Sequence, residues 1–312
     1  MSKSGVKILR LTAAICLLAV VIWFANPAKL GKTLNSVDLR WFALAVTAAI
    51  LANAASALRW TYIARLFGLT APALPLLAAY GRGVTANNLL PGATLSGDML
   101  RAYQLHKLGN PLGPSMLSVV LDRFSGLWVL CLVSALAAAL WSGWFGTDSL
   151  AHDPAFAQAL AIYAVLLGSL ILLPFLPLPN FEPRGQSKSA ELARSWNGLT
   201  RKLALFRSKL PRTALQSVAV QLFSALAFWL GGISVGLDIS YWLVLALCAP
   251  VFIIAALPIG IGGWGTREFA AVLVFGLAGV SAETATATAI LYGLCAVIQG
   301  ILYAPLFLLS RD

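Results

Sequence analysis

Eight ionisable residues fall in or beside segments that are otherwise apolar or glycine-rich: Arg82, Asp98, Arg101, Lys107, Asp122, Arg123, Arg267 and Glu268. An ionised group at the centre of a spanning helix costs ~2.5 kcal/mol or more on insertion scales. Each therefore calls for a partner, water or a ligand. Five bases against three acids leave a positive surplus, and a guanidinium grips phosphate or carboxylate through two parallel hydrogen bonds. The chemistry these types suggest is the holding of an anionic lipid headgroup. Arg82, Arg101, Arg123 and Arg267 are its candidate ligands, and Asp98, Asp122 and Glu268 are their charge partners. The competing reading is that the arginines snorkel to the interface, and for Lys107 that reading is preferred.

Spacing predicts some of the pairing. Asp98 lies three residues before Arg101, on one helical face. Neighbours on a helix point about 100° apart, so Asp122–Arg123 and Arg267–Glu268 are not expected to pair internally. Asp122 with Arg101, and Glu268 with Arg123, are the expected cross-pairs.

The elements that must carry these residues are broken helices. Leu90-Pro91-Gly92 ends the apolar stretch 72–90, and Gly97 and Arg101 follow. Leu257-Pro258-Ile259-Gly260 ends the stretch 239–257, and Gly262, Gly263, Gly265 and Arg267 follow. Glycines at such breaks permit sharp bends and close approach of backbone to a ligand. In lipid, irregular backbone survives only where it is buried in protein or lines a wet cavity. Asn87 and Asn88 could satisfy freed backbone there. Gly260-x-Gly262-x-x-Gly265 also matches a dinucleotide fingerprint, but without a βαβ unit the match carries no weight.

Around these breaks the chain is 60% hydrophobic and 11% charged, with a mean hydropathy of +0.85. That is under half the charge of a soluble domain, which excludes an ordinary soluble enzyme. The expected class is an all-α polytopic membrane protein forming a single integral domain over 1–312. Full spans are expected at 8–25, 38–58, 115–142, 156–178, 213–235 and 284–309. The first is read as uncleaved, since no small-residue cleavage site follows Trp23-Phe24. Fourteen Lys and Arg fall on one side of this layout: three at the N-terminus, Arg59 and Arg65, eight in the 179–212 loop, and Arg311. Lys29, Lys32 and Arg40 fall on the other. The positive-inside bias places both termini and the large loop in the cytoplasm of a cell (inner) membrane. Residues 72–114 must then begin and end on the cytoplasmic side, as a re-entrant hairpin. The order span, span, hairpin, span fits 8–142 and again 156–309 with opposite orientation, as in the inverted repeats of transporters. A chance likeness of Pro/Gly breaks is the alternative.

In the loop, Leu192, Trp196, Leu199, Leu203, Phe206 and Leu210 recur at helical spacing among basic residues. They predict an amphipathic helix on the inner leaflet, or against a partner protein. Cys16, Cys131, Cys248 and Cys295 have no metal-binding spacing and read as packing residues; His106 and His152 read as solvated. No catalytic constellation, cofactor or metal site is expected, and the net charge of +11 is assigned to lipid rather than nucleic acid.

Taken together, Gly81-Arg82-Gly83, Asn88-Leu89-Leu90-Pro91-Gly92, Gly97-Asp98-x-x-Arg101, Leu121-Asp122-Arg123, Leu257-Pro258, Gly262-Gly263 and Arg267-Glu268 resemble a known family. It is the flippase-like integral membrane domain of lysylphosphatidylglycerol synthetases, which also occurs alone. The family usually has Glu where this chain has Asp122, and Gly-Gly where it has Ser96-Gly97. The resemblance implies translocation of a charged or glycosylated lipid such as a phospholipid or polyprenyl phosphate. In the full synthetases a separate cytoplasmic domain attaches lysine to the lipid; none is expected from these residues, so aminoacyl transfer is not implied. The rivals are a membrane-embedded enzyme using Asp98 or Glu268 as acid/base, and an accessory subunit of a membrane glycosyltransferase. A membrane partner or homo-oligomer is compatible with each.

Overall fold

The computed structural model describes residues 19–89, 94–140, 165–169, 171–172, 175–177, 179–181, 188–257 and 262–307, together with 12, 16, 158 and 162. Among them there is no strand. The helices whose two ends are both described are α1 (Pro27–Asn35), α2 (Leu39–Leu66), α3 (Ala73–Leu89), α4 (Thr94–Lys107), α5 (Leu112–Leu140), α6 (Lys188–Ser208), α7 (Leu210–Ile233), α8 (Tyr241–Ala256), α9 (Thr266–Gly276) and α10 (Ala282–Tyr303). A 3-10 turn, Ala304–Phe307, extends the last.

Among the described residues, four segments are long and apolar enough to cross a membrane: Leu39–Leu66, Leu112–Leu140, Leu210–Ile233 and Ala282–Phe307. They correspond to four of the six expected spans. The other two, 8–25 and 156–178, are described only in part, and the 143–155 loop, His152 and the breaks at Pro91, Gly92, Pro258 and Gly260 lie outside the described residues. α2 runs eight residues beyond the expected end at 58, which places Arg59 and Arg65 inside a helix rather than in a loop.

Local chemistry sets the ends. Asp38 caps α2 by accepting from Arg40 N at 2.8 Å, and Ser240 and Ser281 cap α8 and α10 in the same way. α2 ends at Gly68, whose φ of 70° is open to glycine at little cost. There Leu69 N donates to Ala64 O and Gly68 N to Arg65 O, which satisfies two orphan carbonyls.

α2 and α7 pack along much of their lengths. Ala45, Ala48, Ala49, Ala52 and Ser56 line the buried face of α2, and such small side chains let helices approach closely when lipid gives no hydrophobic drive. α3 and α4 form an antiparallel pair that crosses at Gly83 and Gly97, where a Cβ on Gly97 would collide with the Gly83 carbonyl. Gly97 was expected as part of the break; it lies instead within α4 and serves this contact. α3 rests on α10, through Thr85 Oγ1 to Gly300 O (2.9 Å) and Asn88 Nδ2 to Ala296 O (2.9 Å). α8 packs on α5 and on α9. Cys131, Cys248 and Cys295 are buried as expected, whereas Cys16 is exposed.

α6 confirms the helix predicted from its periodicity, but much of its apolar stripe is covered by the protein itself. Phe206, and Leu210 at the start of α7, are buried with Ile63, Leu121, Trp128 and Val129. Trp196 donates to Pro179 O (2.7 Å) and packs on Phe181. These contacts correct the expectation that the stripe as a whole lies on lipid.

Candidate functional site

Five of the charged side chains near the first helix pair form one chain of alternating sign. Arg59 Nε donates to Asp122 Oδ1 at 2.8 Å. Arg101 Nη1 donates to Asp122 Oδ2 at 3.2 Å, and Arg101 Nη2 to Asp98 Oδ1 at 2.9 Å. Arg123 closes the series with two bonds to Asp98, Nε to Oδ2 at 2.8 Å and Nη2 to Oδ1 at 2.7 Å. α2, α4 and α5 each contribute, so the ladder exists only when the three helices meet.

The two ends of the ladder differ. Arg59 is 3% exposed and also donates to Ser217 Oγ of α7 (2.9 Å) and Ser56 Oγ (3.3 Å). Arg101 is 2% exposed and lies between the rings of Trp60 and Tyr80, 5.1 and 4.8 Å from their centroids. Arg123 has 49% of its side chain exposed. Three guanidinium groups against two carboxylates give the cluster a surplus of one positive charge.

Arg59, Arg101 and Arg123 line a cavity of about 410 Å³ between the two halves of the molecule. Asn53, Asn87, Asn88, Gln221, Tyr292 and Gln299 supply its neutral polar wall, with Ala52, Leu127, Leu130 and Phe252 among its apolar residues. The polar groups are held in place. Asn53 bonds Gln299, Gln221 Nε2 donates to Gly126 O at 2.9 Å, and Asn87 Oδ1 accepts from Gly97 N at 2.8 Å. That last bond satisfies an early amide of α4, as expected for a broken helix. Small residues make the room. A Cβ on Gly83 would lie 2.6 Å from Arg101 Cγ, and one on Gly126 would lie 3.0 Å from Arg59 Nη1.

The second cluster is closed. Arg267 pairs with its neighbour Glu268, Nε to Oε1 at 3.1 Å and Nη2 to Oε1 at 2.7 Å. Glu268 Oε2 accepts the amide of Gly265 at 2.6 Å, which caps α9. The guanidinium lies 5.0 Å from the Trp264 ring and 5.9 Å from Tyr292. Both residues are buried. Gly262, Gly263 and Gly265 precede α9 with φ of 58°, 79° and 82°, the left-handed turn that glycine alone adopts cheaply.

Several expectations hold. Asp98 pairs with Arg101, and Asp122 pairs with Arg101. Others are corrected. Arg123 meets Asp98, not Glu268. Arg267 and Glu268 do pair, because a long guanidinium stem folds back across the 100° between their Cα–Cβ directions, into space left by Gly293. Arg82 is absent from the cavity wall and instead donates to Leu306 O (2.8 Å) and Gln104 Oε1 (3.2 Å). Arg267 also lies behind that wall, shielded by Tyr292. Arg59, assigned from sequence to a cytoplasmic loop, is a ladder member. Its signal was present: it continues the buried stripe Ala45, Ala48, Ala52, Ser56 at helical spacing.

A profile of the lysylphosphatidylglycerol synthase TM region matches residues 8–303, nearly the whole chain, and the protein belongs to that family. No curated protein matches it. The protein is therefore a multi-pass membrane protein of a lipid-related family.

Proposed function

We propose that this family member carries an anionic or glycosylated lipid between leaflets, with the headgroup in the cavity and the tails in surrounding lipid. The observation that carries the proposal is the ladder's uncompensated positive charge. It ends in half-exposed Arg123, in the wall of a polar cavity. Arg123 is the primary headgroup ligand and Arg101 its buried support, while Arg82 and Arg267 fix the broken helices around them.

The packing of the two halves supports alternating access. α3 rests on α10 as α8 rests on α5, α4 meets α5 as α9 meets α10, and α2 pairs with α7 about the centre. Such reciprocity is what an inverted repeat would produce, with the binding site between the halves. α3 has 17 residues and α8 has 16, lengths of about 25 Å against a hydrocarbon core of about 30 Å. That supports re-entrant hairpins rather than full spans. With both termini cytoplasmic, the first hairpin would open to the inner leaflet of the cell membrane.

Reconstitution tests the proposal. Vesicles containing the purified protein should exchange a tail-labelled anionic phospholipid between leaflets without chemical change. A new lipid product by mass spectrometry would move the function to a membrane enzyme. That outcome is not favoured, since Asp98 and Glu268 already accept two or more hydrogen bonds each. Neither exchange nor product would leave an accessory role for a glycosyltransferase.

A further inference from the structure

Resting on the translocator proposal, we infer that Asp98 sets the charge of the headgroup the cavity accepts, by holding Arg123 until a single negative charge replaces it. The site therefore takes a monoanionic phosphodiester in preference to a zwitterionic headgroup or a diphosphate.

The ladder is fixed at its buried end and looser at the other. Arg59 is buried and each of its three nitrogens is held, by Asp122, Ser217 and Ser56, so it does not turn towards a ligand. Arg101 is fixed by two carboxylates and two aromatic rings. Arg123 is different. Its two hydrogen bonds go to Asp98, and its side chain is 49% exposed where that of Asp98 is 15% exposed. A phosphodiester entering the cavity presents two acceptor oxygens that the Arg123 fork can grip as it grips a carboxylate, so it can take the fork over. Asp98 keeps its 2.9 Å bond to Arg101 and is not left alone.

The swap extends the alternation by one member. The series Arg59, Asp122, Arg101, Asp98, Arg123 and phosphate has six alternating charges and a sum of zero. A diphosphate would bring excess negative charge beside Asp98, and like charges that close repel. A zwitterionic headgroup brings its own cation and leaves the surplus in place. Discrimination thus arises from a repulsive element as well as an attractive one. Beyond the phosphate, Asn53, Asn87 and Gln221 offer the hydrogen bonding that suits hydroxyls of a polyol or sugar.

The test compares wild type with Asp98→Asn and Arg123→Gln, both first shown to elute as folded protein from size-exclusion chromatography. Exchange of tail-labelled phosphatidylglycerol and phosphatidylcholine is followed in vesicles, and farnesyl diphosphate and short-chain phosphatidylglycerol are added as competitors. Wild type should exchange labelled phosphatidylglycerol about tenfold faster than phosphatidylcholine, and short-chain phosphatidylglycerol should compete about tenfold better than farnesyl diphosphate. Asp98→Asn, which adds one positive charge, should reverse the order of the competitors. Arg123→Gln should abolish the preference for phosphatidylglycerol over phosphatidylcholine. A wild type inhibited as well by the diphosphate, or an Asp98→Asn variant with an unchanged order, overturns the inference and leaves translocation standing. If no label is exchanged, the translocator proposal fails instead, and competition for binding in detergent still decides the charge rule. Should neither variant fold, the wild-type competitor order decides it alone.

Discussion

The ladder built on α2, α4 and α5 and the Arg267–Glu268 pair on α9 both place charge beside a broken helix, yet one is open and the other sealed. In the first, each carboxylate is shared between two arginines, and the odd cation ends half-exposed in a cavity. In the second, one carboxylate meets one guanidinium and also caps the helix, with Trp264 and Tyr292 beside it. The difference shows how the same residue types serve two ends. A neutral, fully bonded pair fixes backbone geometry at a glycine turn. A ladder with an odd number of charges leaves one cation in excess, half-exposed beside the cavity.

Breaking the ladder at its centre should give the largest effect. Asp122→Ala strands Arg59 and Arg101 together in a buried site, at a cost of about 3–5 kcal/mol or more. The variant should show a large fall in melting temperature in detergent. A near-normal melt would mean that Ser217 and Ser56 suffice to hold Arg59. Glu268→Gln strands one guanidinium and weakens the Gly265 cap, which places it next at about 3 kcal/mol. Adding Arg267→Met should restore most of that loss, because an apolar replacement of a whole buried pair is often neutral. Thermal melts of the single and double variants measure the recovery. A third change tests the crossing of α3 and α4. Gly83→Ala must displace Arg101 Cγ, 2.6 Å from the new Cβ, for about 1–3 kcal/mol and slower exchange. The smallest stability effect belongs to Arg123→Gln. An exposed pair contributes up to about 1 kcal/mol, so the melt should barely move while anionic-lipid exchange falls by an order of magnitude or more. That separation of stability from activity is the sharpest contrast with the sealed pair, where the two should fall together.

Parts of the site were legible because they are local. Asp98 and Arg101 share a helical face by spacing alone, and the glycine run before Arg267 announces its turn. Arg59 was hidden because Arg65 follows it in the same basic run. Its helix continues through Trp60, Tyr62 and Ile63 before ending at Gly68. Gly97 looked like part of the break after Pro91, but only the facing backbone of Gly83 explains why no side chain fits there. The reach of the Arg267 side chain likewise outweighed the angle between neighbouring positions.

The sequence by itself determined the class of solvent and the helices that meet it. Backbone groups facing lipid must bond internally, as they do in a helix, and a chain that is 60% hydrophobic and 11% charged writes its long apolar segments openly. The tertiary structure decided which charges neutralise one another. Arg59 and Asp122 are 63 positions apart, and they meet because two helix faces do. Which cation is left over depends on the whole set of meetings, and here it is Arg123 that opens on the cavity.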